Sequence, residues 1–288
     1  VEIIREEGGE SKYLLPKEHG DFLTERSENA NLAVYTQEIP LLTICAEDGV
    51  MAGFRTGEGL SYESYPKFQA FMAELSNAKH REILVDKFLP SVDDGSVISR
   101  LKQGIRVCDL GCGEGIAALI MARAFPKSRF VGIDISAQAI EKAMREASEH
   151  SLKNIDFIVQ DAALLENDPE IRGAFDYVTA FDAIHDQTAP LKALRGVRHI
   201  LAPGGIFSMI DIAAKSDHIE NKDHPMGPFL YTVSLMHCMP VGLAEGGTGL
   251  GKMWGEERAV EMLRESGFEN IQVVEMTHDP FNLHYLCR

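Results

Sequence analysis

"IRVCDLGCGEGIAALIMARAF", residues 105–125, decides the fold. Its first six residues, IRVCDL, are β-prone and mostly apolar, and read as a strand. From Gly115 the apolar side chains fall at helical spacing and stop before Pro126. Gly111, Gly113 and Gly115 make the turn between. A strand that enters a helix through glycines is a unit of a parallel α/β sheet. Ligands of open α/β sheets bind at the carboxyl ends of the strands. Glycine there lets the backbone turn tightly and lets a ligand approach with no Cβ in the way.

The alternation continues outward from this stretch. RFVGIDI (129–135), IDFIVQD (155–161), FDYVTAF (175–181) and GIFSMIDI (205–212) read as strands. Ser136 can cap a helix that runs to about His150. APLKALRGVRHIL (189–201) reads as a further helix, and Pro203-Gly204-Gly205 turns the chain into the next strand. The rhythm breaks over 213–254. A helix over 256–266 and two strand-like runs, IQVVEMT and FNLHYLCR, close the chain. The pattern predicts an α/β fold, doubly wound, with a mostly parallel sheet covered on both faces.

Upstream, VEIIREEGGESKYLLP has the form of a hairpin turning at Glu7-Gly8-Gly9-Glu10. Residues 17–55 mix short helical patterns with loops, and 57–66 is turn-rich. Phe68, Phe71, Met72, Leu75, Ile83, Leu84 and Phe88 predict two helices ending near Pro90. The aromatic stripe Phe68, Phe71, Phe88 reads as core. Two regions result: 1–100, helical with a hairpin, and 101–288, the sheet domain with an insertion over 213–254.

The chain has 288 residues, 28 basic and 44 acidic, for a formal charge of −16. Nucleic-acid binders present a basic face to phosphates, and this chain has no Lys/Arg block, so no nucleic acid partner is expected. The longest apolar run, 229–244, is broken by His237 and Pro240 and is too short to span a bilayer, so no membrane partner is expected either. Cys45, Cys108, Cys112, Cys238 and Cys287 form no CxxC pair and are odd in number, which suggests free thiols in a reducing, cytoplasmic setting. No signal peptide is visible.

The glycine loop carries neighbours that narrow the ligand. Asp134 ends the second strand of the sheet, where a carboxylate accepts both hydroxyls of a ribose. Asp161 ends the third, where an acid can meet an adenine amino group. GEGIAA (113–118) also fits a dinucleotide fingerprint, which would make the chain an NAD-dependent oxidoreductase. However, Asp109 lies two residues before Gly111, and a carboxylate there would repel a pyrophosphate. It would suit S-adenosylmethionine, which carries an ammonium and a sulfonium and no phosphate.

VCDLGCGEG, Asp134, VQDA, FDYVTAFDAIHD and ILAPGGIFSMID resemble, in this order, the successive motifs of class I S-adenosylmethionine-dependent methyltransferases. The resemblance covers roughly residues 100–288. It implies a seven-stranded sheet with the last strand reversed, and S-adenosyl-L-methionine as cofactor. The loop with Asp109, Gly111, Gly113 and Gly115 would hold the methionine part. Asp134 and Ile135 would lie at the ribose, Asp161 and Ala162 at the adenine, and the backbone near Phe181 and Asp182 at the amino acid end. More narrowly, the chain is similar to a group that places a winged-helix domain before the methyltransferase. The hairpin then resembles the wing, with its helix-turn-helix part upstream of Val1. In related small-molecule methyltransferases this domain builds a homodimer and does not bind DNA.

Methyl transfer is an in-line displacement that needs donor and acceptor aligned. An oxygen or thiol acceptor also needs a base. His185, in FDAIHDQ just past the fourth strand, is the first candidate, with Asp186 to orient it. His237 is the second. His237 and Cys238 are adjacent, and Asp217, His218, Asp223 and His224 do not stand at zinc-like spacing, so no metal is expected. GLAEGGTGLGK (242–252) lacks the P-loop pattern. The preceding PFLYTVSLMHCMP predicts a helix lining a pocket with Tyr231 and Met236. The glycine-rich stretch after it predicts a mobile lid carrying Trp254. A small-molecule acceptor would then be enclosed between 60–100 and 213–254. A competing reading is a regulator whose winged helix contacts DNA while the methyltransferase fold senses a metabolite.

Overall fold

The computed structural model describes residues 2–5, 11–23 and 36–288. Strands β1 (Glu2–Arg5) and β2 (Ser11–Leu14) pair antiparallel as the hairpin reading requires. Its turn at Glu7-Gly8-Gly9-Glu10 lies outside the described residues. Helix α1 (Lys17–Leu23) follows. Helix α2 (Glu38–Thr56) is continuous over 19 residues, not the short pieces that the sequence suggests for 17–55. Gly49 and Gly53 weaken that helix as a sequence pattern. They are there for contact: a Cβ on Gly49 would lie 2.5 Å from Leu60.

Helix α3 (Pro66–Ile83) does not end before Pro90. It widens into a π-helical turn, Leu84–Phe88, and continues as α4 (Leu89–Ser91). The Leu89 amide donates to Leu84 O, five residues back. Proline cannot follow an ordinary helical turn without its ring striking a carbonyl, and the wider turn relieves the clash. A further helix, α5 (Ser96–Gln103), leads into the sheet.

The sheet domain runs β3 (Arg106–Leu110), α6 (Ile116–Ala124), β4 (Arg129–Asp134), α7 (Ala137–Glu149), β5 (Ile155–Val159), β6 (Phe175–Phe181), α8 (Pro190–Ile200) and β7 (Leu201–Ile212). An insertion holds α9 (Gly227–Val233) and α10 (Met239–Leu243), and α11 (Glu256–Glu265), β8 (Ile271–Glu275) and β9 (Asn282–Cys287) close the chain. The seven strands lie in the order β5-β4-β3-β6-β7-β9-β8. The last strand, β9, runs antiparallel between β7 and β8. One apolar cluster packs α5, α6 and α7 on one face, and a second packs α8 and α11 on the other. From β3 the chain winds outward through β4 and β5, then returns to the far side at β6. The crevice outside β3 and β6 is therefore the topological switch point, the ligand position of open α/β sheets.

Helices α2 and α3 pack on the insertion in a third apolar cluster: Leu42, Ala46, Tyr65, Phe68 and Phe71 meet Val233 and Val241. The Leu60 amide donates to Pro240 O at 2.9 Å, and Tyr65 Oη donates to Met236 O at 2.9 Å. The α2–α3 region thus packs on the insertion, while residues 84–101 pack with α6 and α7 on a face of the sheet. No helix among the described residues is long and apolar enough to cross a membrane.

Strand β3 also carries a buried carboxyl. Asp109 is 3% exposed and accepts a 2.8 Å hydrogen bond from Thr179 Oγ1. Burial raises it to about 7, with the Asp134 charge adding to the rise and Thr179 opposing it. Its folded value lies above the unfolded one. The stability tied to its proton is full below the ordinary carboxylate value of 3.8 and is lost as pH rises toward 7. Chemical denaturation of wild type and Asp109→Asn between pH 4 and 7 should therefore diverge by about 1.4 kcal/mol for each pH unit, the wild type losing stability as pH rises. Parallel pH curves would show that Asp109 keeps an ordinary carboxyl.

Candidate functional site

The glycine loop leaves β3 and turns under the end of β4. The Gly111 and Cys112 amides both donate to Ile133 O, at 2.8 and 3.1 Å. Asp134 completes the clasp: Oδ2 accepts from the Gly113 amide and Oδ1 from the Ser136 amide, each at 2.8 Å. Gly113 sits at φ +53 with nothing within 4 Å of where a Cβ would stand. Gly115, at φ +75, lies against the Phe157 ring, which a Cβ would approach to 2.4 Å. One glycine opens the crevice and the other seats the helix. Asp109 does not stand at the mouth of the loop as the sequence suggests. It lies beneath it, against Thr179, and acts on the loop from behind. The argument against a pyrophosphate passes to Asp134, whose carboxylate already occupies a loop amide that a phosphate cradle would leave free.

The other predicted cofactor residues line the same edge. Ile135 is 64% exposed, an apolar side chain held out over the crevice. Asp161 Oδ1 caps the following turn through the Ala163 amide at 2.8 Å, and Ala162 is buried. The Phe181 ring turns away toward His80 and Phe88, at 4.8 and 5.6 Å between centroids, so its backbone alone is left for the crevice. Asp182 follows at φ +49, a strained position for a residue with a Cβ. It accepts from Asn282 Nδ2 at 3.2 Å and lies 3.9 Å from Lys79 Nζ.

The two histidines come together beyond Asp182, in different states. His185 is 2% exposed, and its Nδ1 donates to Asp211 Oδ1 at 2.7 Å. Its Nε2 lies 3.4 Å from Asp186 Oδ1. Burial opposes charge on this ring, but the Asp211 and Asp186 carboxylates outweigh it and hold its pKa well above the ordinary value. Asp211, not Asp186, orients the ring. A histidine that keeps its proton between two carboxylates is not a free base, which corrects the first-choice role predicted for it.

His237 is 5% exposed and sits in an aromatic enclosure. Its ring lies 4.6 Å from Phe68, 4.7 Å from Tyr65 and 5.7 Å from Tyr62 between centroids. Burial lowers its pKa to about 4, although Asp186 opposes this. The ring is therefore neutral, and its buried Nε2 has no hydrogen-bond partner. Its Nδ1 lies 3.6 Å from Cys238 Sγ and 3.9 Å from Asp186 Oδ2.

Several site residues escape the sequence reading. Burial raises the Tyr62 phenol pKa, and the Asp186 and Asp134 charges add to the rise. Lys252, from the glycine-rich stretch, feels Cys238, Glu38, Asp182 and Asp186, which hold its charge against burial. Cys238, 3% exposed, gathers with His185 and Asp186, their ligating atoms all within 4.8 Å of one another. The donors come from segments some fifty residues apart, so no local spacing announces them.

The predicted substrate trio does not converge. Tyr231 packs beside Leu230 and Met253, and its hydroxyl accepts from Asn221 Nδ2 at 3.0 Å. Met236 packs against the α2–α3 cluster. Trp254 is 6% exposed and belongs to the sheet core beside α11, so it is a fixed wall and not part of a lid. The glycine-rich stretch is tied down: Thr248 N donates to Thr188 O at 2.9 Å, Gly249 N to Gly242 O at 2.9 Å and Lys252 N to Ser234 Oγ at 3.0 Å.

A cleft of about 450 Å³ lies away from all this, at the amino ends of the strands, between Arg123, Arg129 and Lys153. It has none of the groups described above.

Residues 101–267 match the family described as a methyltransferase domain. The chain is 33% identical over 117 residues to a ubiquinone biosynthesis O-methyltransferase of Paracidovorax citrulli, covering 40% of this chain and 47% of that protein. It is 30% identical over 103 residues to a demethylmenaquinone methyltransferase of Lactococcus lactis, covering 35% and 40%. The chain spans about half the length of the curated relatives it matches. An O-methyltransferase family protein from Burkholderia thailandensis superposes with a TM-score of 0.64 at 17% identity, over 98% of this chain and 78% of that one. Human N-acetylserotonin methyltransferase, solved with SAM, gives 0.59 at 18%, over 99% and 78%. These two likenesses concern the fold. With the family match spanning more than half of its length, the chain belongs to the methyltransferase-domain family.

Proposed function

We propose that this chain transfers a methyl group from S-adenosylmethionine to a small-molecule acceptor held beneath the α2–α3 and α9–α10 layer. The observation that carries this reading is the Asp134 clasp at the switch point of the sheet: its oxygens accept the Gly113 and Ser136 amides at 2.8 Å, and Gly113 leaves open space beside it. The neutral, buried His237 ring lies 3.9 Å from Asp186, in the turn that follows β6 on the same edge.

The crevice residues fit this cofactor. Each Asp134 oxygen accepts one amide and keeps a lone pair for a ribose hydroxyl. Gly113 leaves open space at the loop, and exposed Ile135 offers an apolar face to a base, with Asp161 and Ala162 beyond it. The backbone at Gly111–Gly113 and Phe181–Asp182 would receive the amino acid end. When bound, the cofactor supplies a methyl group on a positively charged sulfur. The chain's own residues hold the acceptor in line, exclude water and receive its proton. His237 Nε2 is placed for the last task, inside the Tyr62, Tyr65 and Phe68 enclosure, and Lys252 adds a positive charge beside it.

Calorimetric titration of S-adenosylmethionine should show saturable binding to wild type and at least tenfold weaker binding to Asp134→Ala, with no binding of NAD. Equal affinity in the two proteins, or NAD binding, would overturn the cofactor assignment.

His237 is tested with acceptors found by screening small phenols, thiols and amines. In His237→Gln, kcat/KM should fall by about 10²–10⁴ while cofactor affinity stays unchanged, the range expected for loss of a positioned proton acceptor. A variant as fast as wild type would remove His237 from the chemistry.

The reading includes a homodimer. Ile44, Met51 and Phe54 stand on one side of α2 and are 70%, 56% and 73% exposed. The hairpin adds exposed Ile3 and Tyr13. Such a patch supports pairing of two copies through the N-terminal region. Light scattering should give a dimer for wild type and a monomer for Phe54→Glu; a monomeric wild type would refute the pairing.

A further inference from the structure

We propose that His185, Asp186 and Cys238 form a binding site for a zinc-like divalent transition metal. The side chains are a borderline-soft N, O, S donor set of the kind that selects zinc or its neighbours over magnesium and calcium. In a tetrahedral zinc site, bonds of about 2.0–2.3 Å place the ligand atoms about 3.3–3.8 Å apart. His185 Nε2 and Asp186 Oδ1 are 3.4 Å apart, and all three donor atoms lie within 4.8 Å of one another. Small side-chain adjustments close the set on an ion.

Two further observations point to a ligand. Asp186 Oδ1 is buried without a hydrogen bond, although it faces the other two donors. Buried carboxylate oxygens are mostly satisfied in folded proteins, and of those that lack a partner here this one lies within reach of both a histidine nitrogen and a thiol. His185 also has the support that metal-binding histidines share. Its Nδ1 donates to Asp211 Oδ1 at 2.7 Å, and Asp211, 0% exposed, is itself held by the Ile212 amide at 2.8 Å. That bond holds the ring so that Nε2 faces Asp186, where a bound ion would take the place of the Nε2 proton. Asp211 is thus a positioning residue for the ligand. Lys252 is the nearby cation, and the charges of Cys238, Glu38, Asp182 and Asp186 act on it.

Three protein ligands leave a fourth tetrahedral position, as in catalytic zinc sites. An oxygen, nitrogen or sulfur atom of the methyl acceptor fits that position, where coordination would lower the pKa of its proton. This use of the ion rests on the methyl-transfer reading above, whereas binding of the ion does not.

The test uses the full chain, stripped with chelator and titrated with Co²⁺ and Zn²⁺. One equivalent of Co²⁺ should bind with a thiolate-to-cobalt charge-transfer band, and Zn²⁺ should displace it. The band should vanish in Cys238→Ser, and Asp211→Asn should weaken Zn²⁺ binding 10–100-fold. X-ray absorption of the wild-type zinc form needs no variant. It should show one sulfur at about 2.3 Å with nitrogen and oxygen at about 2.0–2.1 Å. No band in wild type, a band that survives in Cys238→Ser, or a shell without sulfur or with several sulfurs would overturn the site. S-adenosylmethionine titration of the same samples separates the failures. Cobalt bound without the cofactor refutes methyl transfer alone, and the cofactor bound without cobalt refutes the metal site alone.

Discussion

One carboxylate organises the carboxyl end of the sheet. Asp134 accepts the Gly113 amide from one loop and the Ser136 amide from another, each at 2.8 Å. A parallel sheet ends its strands in loops whose amides need partners. By supplying both, Asp134 fixes the distance between the end of β4 and the turn after β3. The glycine loop then has one shape, and helix α6 can start with Gly115 pressed on Phe157. The crevice exists because this clasp holds its two lips in register.

The roof answers a different requirement. His185, Asp211, His237 and Cys238 are all nearly sealed from water, and buried charge is costly unless paired. Here the pairing is local: His185 Nδ1 donates to Asp211 Oδ1 with Asp186 3.4 Å from Nε2, and the charges of Glu38, Asp182 and Asp186 favour that of Lys252. His237 solves the same problem by staying neutral inside three aromatic rings. Two histidines of one cluster thus reach opposite protonation states, which is how one small site can both hold a positive charge and offer a lone pair.

The sheet domain was legible because its signals are local. Each strand from IRVCDL to FNLHYLCR is a short apolar run, and Gly111, Asp134 and Ser136 announce their roles by position alone. The reading failed where distant segments decide. Residues 17–55 read as short helical pieces and loops, whereas α2 runs through Gly49, where Leu60 fills the space a Cβ would take. Tyr231 reads as a pocket residue because its stretch is apolar and Trp254 as part of a lid because glycines precede it, but the first pattern serves a core equally well and the second ends in one. His185 reads as a base until Asp211, 26 residues away on β7, is found beneath it. Tyr62 and Lys252 carry no motif, since they come near His237 from other segments of the chain.

The same irregularity occurs twice and links fold to site. Five π-helical residues precede Leu89-Pro90, and five precede Met239-Pro240. In each case the residue before the proline donates its amide five residues back, Leu89 to Leu84 O and Met239 to Ser234 O. A proline near the end of a helical run forbids the ordinary turn before it, and the wider turn is the helix's way past it. The second of these turns is Ser234–Cys238, which carries His237 and Cys238. Neighbours on an ordinary helix point about 100° apart around the axis, yet here His237 Nδ1 and Cys238 Sγ meet at 3.6 Å. Pro240 therefore belongs to the site's construction although it touches none of its chemistry. It requires the widened turn, and the widened turn presents two consecutive side chains to Asp186.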